Sequence, residues 1–262
     1  MSAAVALCFL CVSCGSDGPG SADTTPATDT AATGVPAVEG DVTVFAAASL
    51  TAAFTEVGDA FMAANPDSNV VLNFAGSSDL VAQIGEGAPA DVFASADLGN
   101  MAKVTDSGKN ASEPVVFATN VAEIIVEAGN PIGIAGVGDL ADPDLIVVQC
   151  APEVPCGKYA AQIYENAGVT VTPKSLEESV KAVVTKVTLG EADAGVVYAT
   201  DVTAAGADAE GVEIPDDINV VAEYPIATLD DAPNAASAQA LVDFVLSEAG
   251  QEILASYGFL AP

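Results

Sequence analysis

From Asp41 onward the chain alternates short, wholly apolar runs with stretches whose apolar residues recur at helical spacing. Residues 42–46 read as a strand. Leu50, Phe54, Val57 and Phe61 then share one helix face until Asn65-Pro66 stops it. A second strand over 70–74 is apolar but for Asn73, as a strand buried on both faces should be. Residues 79–85 read as a short helix, 87–95 contain a third strand, and 98–107 form another helix. Such alternation predicts an α/β fold with a mostly parallel sheet flanked by helices. Further along, 115–118 and 122–127 read as extended, 145–149 as a strand, and 158–166 as a helix closed by Gly168. Val180, Val183, Val184 and Val187 mark an amphipathic helix ending at Gly190. Strands over 194–199 and 219–223 precede two closing helices, about 235–247 and 248–256.

Two serines sit where strand hands over to helix: Ser49 after 42–46 and Ser77 after 70–74. In an α/β fold this is the crevice at the carboxyl ends of the strands, where ligands bind. A helix start there offers free N–H groups and the positive end of a dipole, which suits an anion. The bland alternative is that each serine is simply a helix cap. The chain has no Arg, no His and six Lys against 37 acidic residues, for a net charge of −31. An anion would therefore have to be held mostly by neutral donors. The same charge argues against nucleic acid and anionic membrane surfaces as partners. Without His there is no Ser-His-Asp triad and no His-ligated zinc. A Ser/Lys surface hydrolase is the alternative of another class. Neither serine lies in Gly-x-Ser-x-Gly, and no Lys precedes Lys103.

The N-terminus reads as an export signal over 1–13, with an apolar run too short to span a membrane. It lacks the usual positive segment, which points to a start further upstream. Val12-Ser13-Cys14-Gly15 resembles a bacterial lipobox, making Cys14 the expected lipidation site. Residues 14–40 carry almost no large apolar side chain and read as a disordered, lipid-anchored linker. An exported compartment permits disulfides, and Cys150-x5-Cys156 closes a short loop holding two prolines. We read the two cysteines as a disulfide; the alternative is two unpaired small hydrophobes.

Four segments carry a specific resemblance: Phe45-Ala-Ala-Ala-Ser-Leu50; Phe74-Ala-Gly-Ser-Ser78 followed by Gly87-Ala-Pro-Ala-Asp-Val-Phe-Ala-Ser-Ala-Asp97; Gly195-Val-Val-Tyr-Ala-Thr-Asp201; and Tyr257-Gly-Phe259. Together, in this order, they resemble the molybdate-binding proteins of bacterial ABC importers, which have the type II periplasmic-binding-protein fold. The resemblance spans roughly residues 41–260. It implies two lobes, 41–118 plus 222–262 and 119–221, with the ligand cleft between them. It implies a monomeric, extracytoplasmic receptor that captures molybdate or tungstate by lobe closure and hands it to a permease. No catalysis and no cofactor are implied, and no metal is bound except as the oxyanion.

Carried over by position, the resemblance assigns oxyanion contacts to Ser49 and Ser77, to the backbone N–H groups of Cys156 and Val180, and to the phenol of Tyr198. Chemistry agrees, since a tetrahedral dianion has acceptors only and wants converging N–H and O–H donors. Lys158 and Lys181 lie beside the proposed amides and could add field. Val180 is contested by the sequence itself: Ser175-Leu-Glu-Glu178 reads as a capping box, which would bury the Val180 amide inside a helix. Other ligands for the same fold are sulfate, phosphate, an organic carboxylate, or ferric iron. Phosphate would want an acceptor in the site, and iron would want a tyrosine neighbour for Tyr198, of which the sequence shows no obvious candidate.

Overall fold

The computed structural model describes residues 38–262. The expected signal peptide, the lipidation site Cys14 and nearly all of the linker lie outside the described residues. The end of that linker is held in place, because Glu39 exchanges hydrogen bonds with Ser237 through both its N–H and its carbonyl.

Among the described residues, nine strands form one mixed sheet in the order β2-β1-β3-β9-β4-β7-β5-β6, with β8 paired to β4. One end is a parallel block: β1 (Gly40–Ala47) lies between β2 (Ser68–Ala75) and β3 (Val92–Ala94). The other end is also parallel: β5 (Val147–Cys150) lies between β6 (Ser175–Glu177) and β7 (Ala194–Tyr198). The middle differs from the sequence expectation. Here β4 (Val115–Glu127) and β9 (Val221–Thr228) run antiparallel to each other, and each pairs antiparallel with one parallel block. A parallel pattern read from buried apolar strands says nothing about which way a chain re-enters the sheet.

β4 is one strand, although its sequence reads as two extended pieces. The apparent break at Thr119-Asn120 is polar for specific reasons. The Thr119 backbone pairs with Leu260, and Asn120 is fully buried with its amide on Thr200. The strand β8 (Ala209–Glu213) has no apolar alternation to announce it and is held by pairing to β4.

Helices follow the strands as their apolar spacing predicts. α1 (Thr51–Ala64) buries Phe54, Val57 and Phe61, and α2 (Ser77–Gly85) buries Leu80 and Ile84. α3 (Leu98–Asp106) is capped by Asp97, whose carboxylate accepts the Asn100 N–H. α4 (Pro155–Ala167) opens with proline, whose missing N–H costs nothing there, and ends at left-handed Gly168 (φ 65°). α5 (Val180–Thr188) starts after Ser179, which caps it by accepting the Ala182 N–H. α6 (Ala199–Ala205) follows β7, and α7 (Ala235–Leu246) and α8 (Glu248–Ser256) close the chain.

The capping box anticipated at Ser175 does not form. Ser175 sits in β6, and its hydroxyl donates to the Glu177 carboxylate, which Lys186 also holds at 2.6 Å. Burial would raise the Glu177 pKa, but the bonds from Lys186 and Ser175 outweigh it and hold the carboxyl below its usual range. With Ser175 committed to the sheet, the helix start moves to Val180. No described helix is long and apolar enough to cross a membrane.

Candidate functional site

Ser49, Ser77, Cys156, Val180 and Tyr198 all line one small cavity, together with small apolar neighbours such as Ala96. Its volume is about 10 Å³, about the room one water molecule needs. None of its lining residues carries a formal charge.

Each donor reaches the cavity for a local reason. Ser49 lies in the single 3-10 turn Ala48–Leu50 that joins β1 to α1. Ser77 is the first residue of α2, after Gly76. Neither is a cap: Ser49 Oγ lies 3.1 Å from the Tyr224 hydroxyl, and Ser77 Oγ accepts the Ala96 N–H at 3.1 Å. Cys156 is the second residue of α4 and Val180 the first of α5. The first N–H groups of a helix have no acceptor within it, so three helix starts and one 3-10 turn aim free donors at one point.

Tyr198 ends β7 and is 2% exposed, yet its hydroxyl has no hydrogen-bond partner among the described residues. A buried phenol without a partner carries a real desolvation cost, which a ligand oxygen in the cavity would remove. Burial, with Tyr224, Tyr159, Asp201 and Asp97 nearby, pushes the Tyr198 pKa well above the ordinary tyrosine value. The phenol is therefore a proton donor at neutral pH.

The disulfide between Cys150 and Cys156 is formed, with a Cα–Cα distance of 5.7 Å. It ties the end of β5 to the start of α4 and so fixes the turn that presents the Cys156 amide. Gly157 is required next to it, because a Cβ there would land on the carbonyl oxygens of Ala151 and Cys150.

The two lysines beside the amides are engaged. Lys158 pairs with Asp97, and Lys181 lies 2.9 Å from Asp201, which is 1% exposed. Burial raises the Asp201 pKa; Lys181 and the Tyr198 N–H pull it the other way. Each lysine compensates a buried carboxylate and leaves little net field at the cavity.

Sequence reasoning passed over the groups behind the cavity. The rings of Tyr159 and Tyr224 flank Tyr198 at 6.3 and 5.8 Å, and Phe259 of the closing Tyr-Gly-Phe motif packs edge-on against Tyr224. The absence of a tyrosine beside Tyr198 was an expectation, and the structure corrects it. The cluster still does not resemble a phenolate site. The Tyr159 hydroxyl donates to the Ala96 carbonyl at 3.3 Å, and burial raises the pKa of all three phenols.

Comparison with known proteins identifies the family. Residues 42–260 match the family described as bacterial extracellular solute-binding protein. The molybdate-binding protein ModA of Mycobacterium tuberculosis is 42% identical over 251 residues, covering 96% of this chain and 93% of that protein. Two solved structures share the fold. The sulfate-binding protein SubI from Mycobacterium tuberculosis has a TM-score of 0.77 at 20% identity, covering 84% of this chain and 86% of that one. The periplasmic molybdate-binding protein of Azotobacter vinelandii has a TM-score of 0.72 at 19% identity, covering 84% and 99%. The chain therefore belongs to the bacterial extracellular solute-binding proteins, the family that includes the molybdate-binding proteins.

Proposed function

We propose that this protein captures molybdate, and tungstate alongside it, outside the cytoplasm and delivers it to the permease of an ABC importer. The observation that carries this reading is the convergence of five neutral donor positions on one small cavity whose lining has no charged side chain. The ligand takes hydrogen bonds from the hydroxyls of Ser49, Ser77 and Tyr198 and from the amides of Cys156 and Val180. Each is charge-assisted by the anion itself and stronger than a neutral pair. Removing water around them strengthens all of them together.

The two parallel blocks of the sheet supply the two lobes, 41–118 plus 222–262 and 119–221. The long strands β4 and β9 cross between them and supply the hinge. Ser49 and Ser77 belong to the first lobe, and Cys156, Val180 and Tyr198 to the second, so a ligand bridging both sets favours closure. Acylation at Cys14 would hold this monomeric receptor at the outer face of the cell membrane, with 14–40 as its tether.

Sulfate is the second reading, supported by the shared fold of a sulfate-binding protein and by the same acceptor-only chemistry. Monohydrogen phosphate fits less well, because its proton finds no carboxylate in the lining. Thermal-shift measurements with molybdate, tungstate, sulfate and phosphate test the assignment. Stabilisation by molybdate and tungstate is expected. No response to molybdate with a clear response to another anion overturns it.

A further inference from the structure

Ser49 can face a bound anion as a donor only if its single hydrogen is free, and the residues behind it decide that. Ser49 Oγ and the Tyr224 hydroxyl are 3.1 Å apart, and either could donate. Tyr224 is fully buried in β9. Ser49 Oγ is the hydrogen-bond partner of the Tyr224 hydroxyl among the described residues, so the Tyr224 hydrogen has Ser49 Oγ as its acceptor. The reverse order would leave a phenol hydrogen buried with no acceptor among the described residues, which is costly.

We propose that Tyr224 is a positioning residue that fixes Ser49 as a committed hydrogen-bond donor toward the cavity. The inference rests on the oxyanion reading of that cavity. With Ser49 fixed, the Ser49, Ser77 and Tyr198 hydroxyls can each turn a hydrogen toward the cavity. Ser77 accepts from Ala96 and keeps its own hydrogen free, and Tyr198 stays protonated. An anion bearing a hydroxyl meets these donors with no carboxylate to take its proton, whereas in the Tyr224→Phe protein the Ser49 hydrogen is no longer held toward the cavity and Ser49 can turn and accept.

The test is a double-mutant cycle by calorimetry near neutral pH, using whichever of molybdate, tungstate or sulfate binds the unaltered protein. Tyr224→Phe is expected to weaken binding about tenfold when Ser49 is present and less than about twofold in the Ser49→Ala background. Competition against that oxyanion should show monohydrogen phosphate losing part of its disadvantage in Tyr224→Phe. A merely structural role for Tyr224 would lower the melting temperature and weaken binding equally in both backgrounds, with the phosphate ratio unchanged; that result overturns the proposal. If none of the three oxyanions binds the unaltered protein, the reading of the cavity falls and this inference with it. If one binds and the cycle is additive, only the inference falls.

Discussion

Gly76 and the carbonyl of Glu178 approach so closely that a Cβ on Gly76 would land on that oxygen. Gly76 precedes α2, which starts with Ser77; Glu178 lies just before Ser179, the cap of α5, which starts with Val180. Two helix starts from opposite ends of the sheet are pressed together there, and the proposed donors on each come within reach of one small ligand.

Gly76→Ala follows from this contact. The φ of Gly76 is −58°, so alanine is unstrained locally, and the only obstacle is the Glu178 carbonyl. Overpacking of this kind costs about 1–3 kcal/mol in the closed arrangement. Titration should show molybdate affinity reduced by about tenfold or more. Affinity within about twofold of the unaltered protein would contradict the closure account.

Tyr198→Phe separates binding from stability. The Tyr198 hydroxyl is buried and unpartnered among the described residues, so removing it costs the ligand-free protein nothing and relieves a desolvation penalty. Its melting temperature should hold or rise while molybdate affinity falls about tenfold, the loss of one hydrogen bond to a charged group.

Lys181→Met should show a pH-dependent defect. The Asp201 pKa is raised in the folded protein by burial, against the pull of Lys181. The folded state therefore binds more protons, and this group's contribution to stability falls as pH rises from its unfolded value of 3.8 through the folded one. Removing Lys181 raises the folded value further. The variant should match the unaltered protein in acid and lose about 2 kcal/mol near neutrality, less than a fully buried pair because the ammonium is partly exposed. Urea titrations across the pH range measure this; a gap that widens toward acid would contradict it.

Reduction of the Cys150–Cys156 disulfide should weaken both stability and capture. The two cysteines are six residues apart, so the chain-entropy term is about 2 kcal/mol. The turn it fixes carries the Cys156 amide, so molybdate affinity should fall along with it. Cys150→Ser with Cys156→Ser, titrated beside the reduced protein, should behave the same way. Full affinity in both would assign the disulfide to stability alone.

The strand–helix alternation from Asp41 made the α/β class legible, because buried strands and amphipathic helices have different periods. The antiparallel middle of the sheet was not legible, because the direction of β4 and β9 depends on where the chain returns and not on local pattern. Ser49 and Ser77 stood out as strand ends. Val180 was ambiguous until β6 took Ser175 into the sheet and left Ser179 as the cap. The Tyr224–Ser49 pair left no signal, since the two lie 175 residues apart and each alone reads as an ordinary strand or turn residue.

The most direct test is a crystal structure of the protein with molybdate, the metal located by its anomalous scattering. The account predicts one molybdenum peak in the cavity, with its oxygens within hydrogen-bond reach of the Ser49, Ser77 and Tyr198 hydroxyls and the Cys156 and Val180 amides. A peak elsewhere, or an anion in the cavity that leaves the Tyr198 hydroxyl without a partner, would contradict it.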